Sequence, residues 1–205
     1  MIAIIDYGVG NISAFVNIFK QLNIPAKIAK NEADLQDADK LILPGVGHFD
    51  YAMQRFNDSG MKERVNHLVT VEKKPVLGIC VGMQMMAERS DEGDLKGLGW
   101  INSEVIKFDE SMRSAKLPLP HMGWNDVSPT TDNPLFNNLN NEARFYFLHS
   151  YYFKCNEIEN STADADYGSK FTCAVNRENV YGVQFHPEKS HHYGITLLKN
   201  FAELC

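Results

Sequence analysis

The chain has 205 residues, of which 44% are hydrophobic, 22% charged and 11% aromatic. That length suits one domain, residues 1–205, with little room for a second catalytic domain, and the composition excludes a disordered or low-complexity chain. Twenty Lys and Arg against 26 Asp and Glu give a formal charge of −6, which offers no general attraction to nucleic acid or anionic lipid, so neither nucleic acid nor membrane is an expected partner.

The opening run Met1-Ile2-Ala3-Ile4-Ile5-Asp6 turns polar after a few apolar residues, with neither a basic leader nor a small-residue cleavage site. No segment approaches the roughly 20 apolar residues that cross a bilayer. Cys80, Cys155, Cys173 and Cys205 are scattered, with no C-x-x-C pair. A reducing, cytoplasmic setting is expected.

Ile2 to Ile5 reads as a strand that ends in Asp6-Tyr7-Gly8-Val9-Gly10, after which Ile12, Phe15, Val16, Phe19 and Leu22 recur at helical spacing. Ala26 to Ala29 reads as a second strand and Glu32 to Gln36 as a short helix. Leu41-Ile42-Leu43 is a buried strand halted by Pro44-Gly45-Val46-Gly47. One helical stretch is expected from about Phe49 to Val71, then a buried strand over Pro75 to Ile79. Strands alternating with helices imply a parallel sheet covered on both faces.

After Glu88 the texture changes. Ser90 to Asp94 and Gly97 to Gly99 are turn-rich, and strands are expected around Val105, Val127, Phe145 to Leu148, Tyr151 to Cys155, Phe171 to Val175 and Val180 to Phe185. A last helix from about Tyr193 to Leu204 carries Ile195, Leu198 and Phe201 on one face. There is no internal repeat and no linker long enough to separate domains.

Two segments carry chemistry. In Gly78-Ile79-Cys80-Val81-Gly82-Met83-Gln84 a strand feeds a helix through a tight turn, and the flanking glycines permit that strained turn. Cys80 is thereby offered as a nucleophile at the sheet edge, near the positive end of a helix dipole that favours thiolate. In Val183-Gln184-Phe185-His186-Pro187-Glu188 the proline biases His186 towards extended backbone, which lets imidazole and carboxylate lie side by side. Glu188 would then orient His186 while the other ring nitrogen takes the Cys80 proton. The order Cys, then His and Glu, matches this chemistry. Cys155, Cys173 and Cys205 read as structural.

With this elbow and a distal H-P-E, the chain resembles the class I, or triad, glutamine amidotransferases. Within that family it is most similar to the glutaminase subunits of imidazole glycerol phosphate synthase, which feed ammonia to a separate cyclase in histidine biosynthesis. Supporting segments are Asp6-Tyr7-Gly8-Val9-Gly10-Asn11, Leu43-Pro44-Gly45-Val46-Gly47-His48-Phe49, His121-Met122-Gly123-Trp124-Asn125, His149-Ser150-Tyr151 and His186-Pro187-Glu188-Lys189-Ser190.

The resemblance implies an α/β doubly wound fold, with a mostly parallel central sheet, flanking helices and a smaller antiparallel sheet. It implies L-glutamine as substrate and a cysteinyl γ-glutamyl thioester as intermediate. Oxyanion donors would come from the backbone of Val81 and of the strand Gly45-Val46-Gly47. Gln84, Glu92 and the Ser150-Tyr151 backbone would hold the substrate. Gly10, Asn11, Trp124, Asn125 and Tyr146 would face the cyclase subunit of a heterodimer.

Other readings are weaker. Gly8-Val9-Gly10 lacks the third glycine of a dinucleotide motif, which would fall at Ser13, and there is no G-K-[ST]. No cofactor is expected. Adjacent His191 and His192 point apart in regular structure and lack further ligands, so no metal is expected either. The histidine pair nonetheless departs from the smaller residues expected in the main subunits, and leaves open a paralogue that supplies ammonia for sugar amidation in surface-polysaccharide synthesis. A stand-alone thiol hydrolase and a non-catalytic scaffold are the remaining alternatives, the latter disfavoured because Cys80, His186 and Glu188 are all present.

Overall fold

The computed structural model describes residues 1–108, 117–139 and 142–205. The first half runs β1 (Ile2–Ile5), α1 (Ile12–Gln21), β2 (Ala26–Ala29), β3 (Lys40–Gly45), α2 (Phe49–Asp58), α3 (Lys62–Thr70), β4 (Val76–Cys80) and α4 (Val81–Gln84). The second half is richer in strands: β5 (Arg89–Ser90), β6 (Ser103–Lys107), β7 (His121–Asp126), β8 (Ser128–Pro129), β9 (Arg144–His149), β10 (Tyr151–Cys155), β11 (Ser161–Asp166), β12 (Lys170–Arg177), β13 (Val180–Val183) and the closing helix α5 (His191–Leu204).

The main sheet has the order β2-β1-β3-β4-β13-β12-β10-β6-β5. Its first five strands are mutually parallel, as the strand–helix alternation predicts. Beyond β13 the sheet continues antiparallel through β12, β10 and β6. The reversal is local: only Glu178 and Asn179 separate β12 from β13, and so short a link joins antiparallel strands only. β7 and β9 form the separate two-stranded antiparallel sheet.

Burial explains the strand sequences. β1, β4 and β13 are buried along their whole length, as expected of apolar runs covered on both faces. Helix α1 buries Phe15 and Phe19, and its first turn is capped by Asn11, whose side chain accepts from the Ala14 N–H at 3.4 Å. The Lys40 ammonium donates to the carbonyls of Phe201 and Ala202 at 3.0 and 2.8 Å, tying the end of α5 to β3.

Several boundaries differ from expectation for identifiable reasons. The stretch from Phe49 to Val71 is two helices, because Gly60 adopts φ +71° and ends the first. Strand β3 is not halted at Leu43 but runs on to Gly45. Pro44 lies beyond the last pairing with β1, where its missing N–H interrupts no β1 ladder. Strand β13 ends at Val183, and α5 starts at His191 with Ile195 at the margin of a face buried through Leu197, Leu198 and Phe201. The segment near Val127 is β7 followed by the two-residue β8. Among the described residues no helix is long and apolar enough to cross a membrane.

Candidate active site

Cys80 closes β4 at the edge of the parallel sheet with φ +56° and ψ −114°, a strained conformation for a residue with a side chain. Its neighbours hold it there. A Cβ on Gly82 would lie 1.9 Å from the Leu43 carbonyl oxygen, and one on Gly78 would lie 2.7 Å from the Gly82 oxygen. Gly82 is thus pressed onto β3, whereas Gly78 is covered by the turn of α4 itself and by Met86, so glycine stands on both sides of the cysteine for two different contacts. The helix it feeds, α4, is a single turn. The dipole expected from a longer helix is therefore largely missing, and the charge partner must come from elsewhere.

That partner is His186. The imidazole Nδ1 lies 2.8 Å from Glu188 Oε1, with side chains only 2% and 3% exposed. The pairing does not arise from two residues of an extended strand. His186 is extended (φ −103°, ψ 94°), and the 3-10 turn Pro187–Lys189 that follows swings Glu188 back beneath it. The carboxylate accepts from Nδ1, so the other nitrogen, Nε2, is left for Cys80. Nε2 has no hydrogen-bond partner among the described residues. Burial, the largest single influence, opposes charging the ring, but the negative charges of Cys80 and Glu188 prevail and lift His186 to about 10.

A pocket of about 900 Å³ opens over these groups. Val46, Gly47, Val81, Gln84, Glu92, Ser150 and Tyr151 line it together with Cys80, His186 and Glu188, as do Gly10, Asn11 and Lys189. Gly45 lies beneath, where a Cβ would meet Gly82 N at 2.5 Å and the Tyr7 hydroxyl at 3.1 Å. Gln84 is buried rather than on a helix surface, and its Nε2 donates to the Tyr151 carbonyl at 3.2 Å and to Gln184 Oε1 at 3.0 Å. Glu92 Oε2 accepts from the Phe49 N–H at 2.9 Å, so its loop is pinned to the start of α2 rather than free in solvent.

The remaining residues expected at a partner face separate by strand alternation. Trp124 and Tyr146 are cross-strand partners on one face of the β7–β9 sheet, their rings 6.3 Å apart and nearly perpendicular. His191 stacks on Trp124 at 5.2 Å and 7°, and Lys189 Nζ lies 5.6 Å from the centre of the Tyr146 ring. Met122, Trp124 and Leu148 are exposed there. Asn125, one residue on, turns its side chain to the opposite face, where it meets His121 at 3.3 Å.

Two contributors escape a reading of motifs alone. Gln184 is fully buried, and its Nε2 approaches Cys80 Sγ at 3.8 Å. Its position two residues before His186 is the available signal. Tyr7 donates to the Pro44 carbonyl at 2.6 Å and so grips the end of β3 just before Val46 and Gly47; nothing in its local sequence points to a partner 37 residues on.

His149 lines the pocket and His121 lies behind it, with 6% and 3% exposure. Burial pushes His121 down to about 4 and His149 to about 3, so both are neutral in the fold. An unfolded histidine binds a proton below about pH 6.5. The unfolded chain therefore gains protons first on acidification, and stability present above pH 6.5 is lost as pH falls towards 4. His186, raised instead, is protonated in both states below pH 6.5 and adds no slope there. We expect urea unfolding at pH 5 to show a loss on the order of 3 kcal/mol relative to pH 6.5, about half from each ring; an unchanged midpoint would mean that neither ring is held neutral by the fold.

The family model described as glutamine amidotransferase class-I matches residues 3–204. The chain is 56% identical over 204 residues to the imidazole glycerol phosphate synthase subunit HisH of Bdellovibrio bacteriovorus, covering 100% of each chain. It is 52% identical to that of Leptospira interrogans and 47% identical to subunit HisH 2 of Pseudomonas aeruginosa, again over the full length of both. Among solved structures, a chain of PurLQS from Thermotoga maritima superposes with a TM-score of 0.71 at 17% identity, over 98% of this chain and 96% of that one. At that identity the likeness speaks for the fold.

Proposed function

This chain belongs to the class-I glutamine amidotransferases, and on that premise we propose that residues 1–205 act as one glutaminase domain, the ammonia-producing subunit of an imidazole glycerol phosphate synthase. The observation that carries the chemistry is the buried His186–Glu188 pair, 2.8 Å apart, at the pocket wall that also holds Cys80.

Cys80 as thiolate attacks the side-chain carbonyl carbon of L-glutamine. The resulting oxyanion takes hydrogen bonds from the Val81 N–H and from a peptide N–H within Gly45-Val46-Gly47, a contribution of about 2.7–4 kcal/mol for one well-aimed donor. His186, charged at the outset, gives its Nε2 proton to the departing nitrogen, and ammonia leaves. Glu188 fixes the ring and stabilises its charge. Water then attacks the γ-glutamyl thioester, returning its proton to His186 and releasing glutamate. Glutamine and water become glutamate and ammonia. Gln84, Glu92, Ser150 and Tyr151 hold the amino-acid end of the substrate.

The ammonia requires an acceptor, and the similar proteins bear the name of a subunit, so the chain works within a complex. We assign the partner as the cyclase of that synthase. Gly10 and Asn11 in the pocket lining and the exposed apolar face of Met122, Trp124 and Leu148, with Tyr146, support docking on this side. The four free cysteines support a reducing, cytoplasmic setting.

Glutamate release is the test. It should be slow for the chain alone, and rise at least tenfold when a histidine-pathway cyclase and its ribonucleotide substrate are both added. Turnover indifferent to that cyclase would reject the assigned partner and leave sugar amidation or free-standing amide hydrolysis as the role.

A further inference from the structure

Behind the outward face of the β7–β9 sheet runs a buried polar row. His121 and His149 face each other across the two strands, and the His121 ring is stacked between Phe147, at 4.8 Å and 23°, and Tyr167, at 4.0 Å and 26°. The protons in this row can be placed by elimination. His149 Nδ1 is 2.8 Å from the Tyr151 carbonyl oxygen, which only accepts, so Nδ1 carries the hydrogen. His149 is neutral, hence its Nε2 is bare. That nitrogen is 2.9 Å from His121 Nδ1, which must be the donor. His121 is neutral too, and its bare Nε2 accepts from Asn125 Nδ2 at 3.3 Å. The other hydrogen of that amide goes to the Asp166 carbonyl at 2.7 Å.

The row does not stop at Tyr151. The same carbonyl accepts from Gln84 Nε2 at 3.2 Å, the second hydrogen of Gln84 goes to Gln184 Oε1 at 3.0 Å, and Gln184 Nε2 reaches Cys80 Sγ at 3.8 Å. Each link has its donor and acceptor fixed by the next. Reversing any one leaves a buried polar group unpaired, which costs more than the bond itself contributes.

We propose that His121, His149 and Gln184 are positioning residues: they form a hydrogen-bonded row by which β7, whose outer face carries Trp124, sets the Tyr151 carbonyl, the Gln84 amide and through them the Cys80 sulfur. The inference rests on the glutaminase reading and deepens it. A partner pressing on the outer face of β7 moves His121 and Asn125 on its inner face, because alternate residues share one backbone. The disturbance then arrives at the nucleophile from the side opposite the Pro44–Gly47 loop.

His121→Phe keeps the ring stack and deletes the donor, whereas His121→Asn can present an amide hydrogen where Nδ1 stood. Glutamate release is followed for parent and variants, alone and with the cyclase plus its ribonucleotide. The expected result is a loss of about tenfold in partner stimulation for His121→Phe, the worth of one buried hydrogen bond, with basal turnover within about twofold and much of the stimulation recovered in His121→Asn. Unchanged stimulation in His121→Phe, or equal losses in basal and stimulated rates for both variants, would overturn the proposal. Imidazole nitrogen NMR of the parent reads the row independently of activity: both rings should carry hydrogen on Nδ1 and none on Nε2 at pH 7, and a protonated Nε2 on either ring would also overturn it. A parent that releases no glutamate under any condition, with these tautomers in place, would refute the glutaminase reading while leaving the row standing.

Discussion

Cys80→Ala is expected to lower glutamate release by about ten-thousand-fold or more, because the thioester route is closed and the remaining groups act only on bound water. The fold should persist. Alanine keeps the Cβ, so the backbone at φ +56° suffers no new contact, and the lost sulfur made only long contacts, 3.9 Å to the Leu148 carbonyl and 3.8 Å to Gln184. The change reaches His186 as well. Without the negative charge of Cys80 one of the two charges holding its proton is gone, so its proton affinity drops towards the ordinary histidine range. Glutaminase assays beside circular dichroism and a pull-down with the cyclase would check this. Turnover near that of the parent in a folded variant would remove Cys80 from the mechanism.

Gly82→Ala should be the most damaging single methyl group in the chain's elbow. Its Cβ would fall 1.9 Å from the Leu43 carbonyl oxygen and 3.2 Å from the Pro44 carbonyl carbon, both backbone atoms of the end of β3 that pairs with β4. Relief requires the elbow or β3 to shift, so a loss of about 3 kcal/mol or more is expected, together with most of the activity. Gly47→Ala is the informative contrast. Space there is open, with nothing within 4 Å, and only the backbone at φ +88° objects, a cost of about 1–2 kcal/mol. Urea titration of the two variants should rank them in this order. Equal stabilities would mean that the end of β3 yields more easily than its pairing with β4 suggests.

The elbow is legible because its constraint is local: Gly78 and Gly82 sit two residues from the cysteine they accommodate. His186 and Glu188 are legible for the same reason, although the 3-10 turn that joins them is not. What escapes depends on partners far along the chain. Gln184 acts on Gln84 and Cys80 across about a hundred positions, and Tyr7 reaches Pro44 through a fold no short motif encodes. Strand β11, Ser-Thr-Ala-Asp-Ala-Asp, is unreadable as a strand, since only small Ala163 and Ala165 supply its buried apolar groups and its pairing with β12 does the rest. Asn125 is readable in principle. Period-two alternation along His121–Asp126 already assigns it to the side opposite Trp124.

The outward face of the β7–β9 sheet bears on how a cell must make this protein. Met122, Trp124 and Leu148 stand 64%, 40% and 37% exposed, side by side on two short strands. A chain synthesised in excess of the partner proposed for that face would keep it in water, where it invites self-association and clearance by quality control. With that partner in place, balanced output of the two polypeptides, by joint transcription or by assembly during translation, would follow from the surface itself.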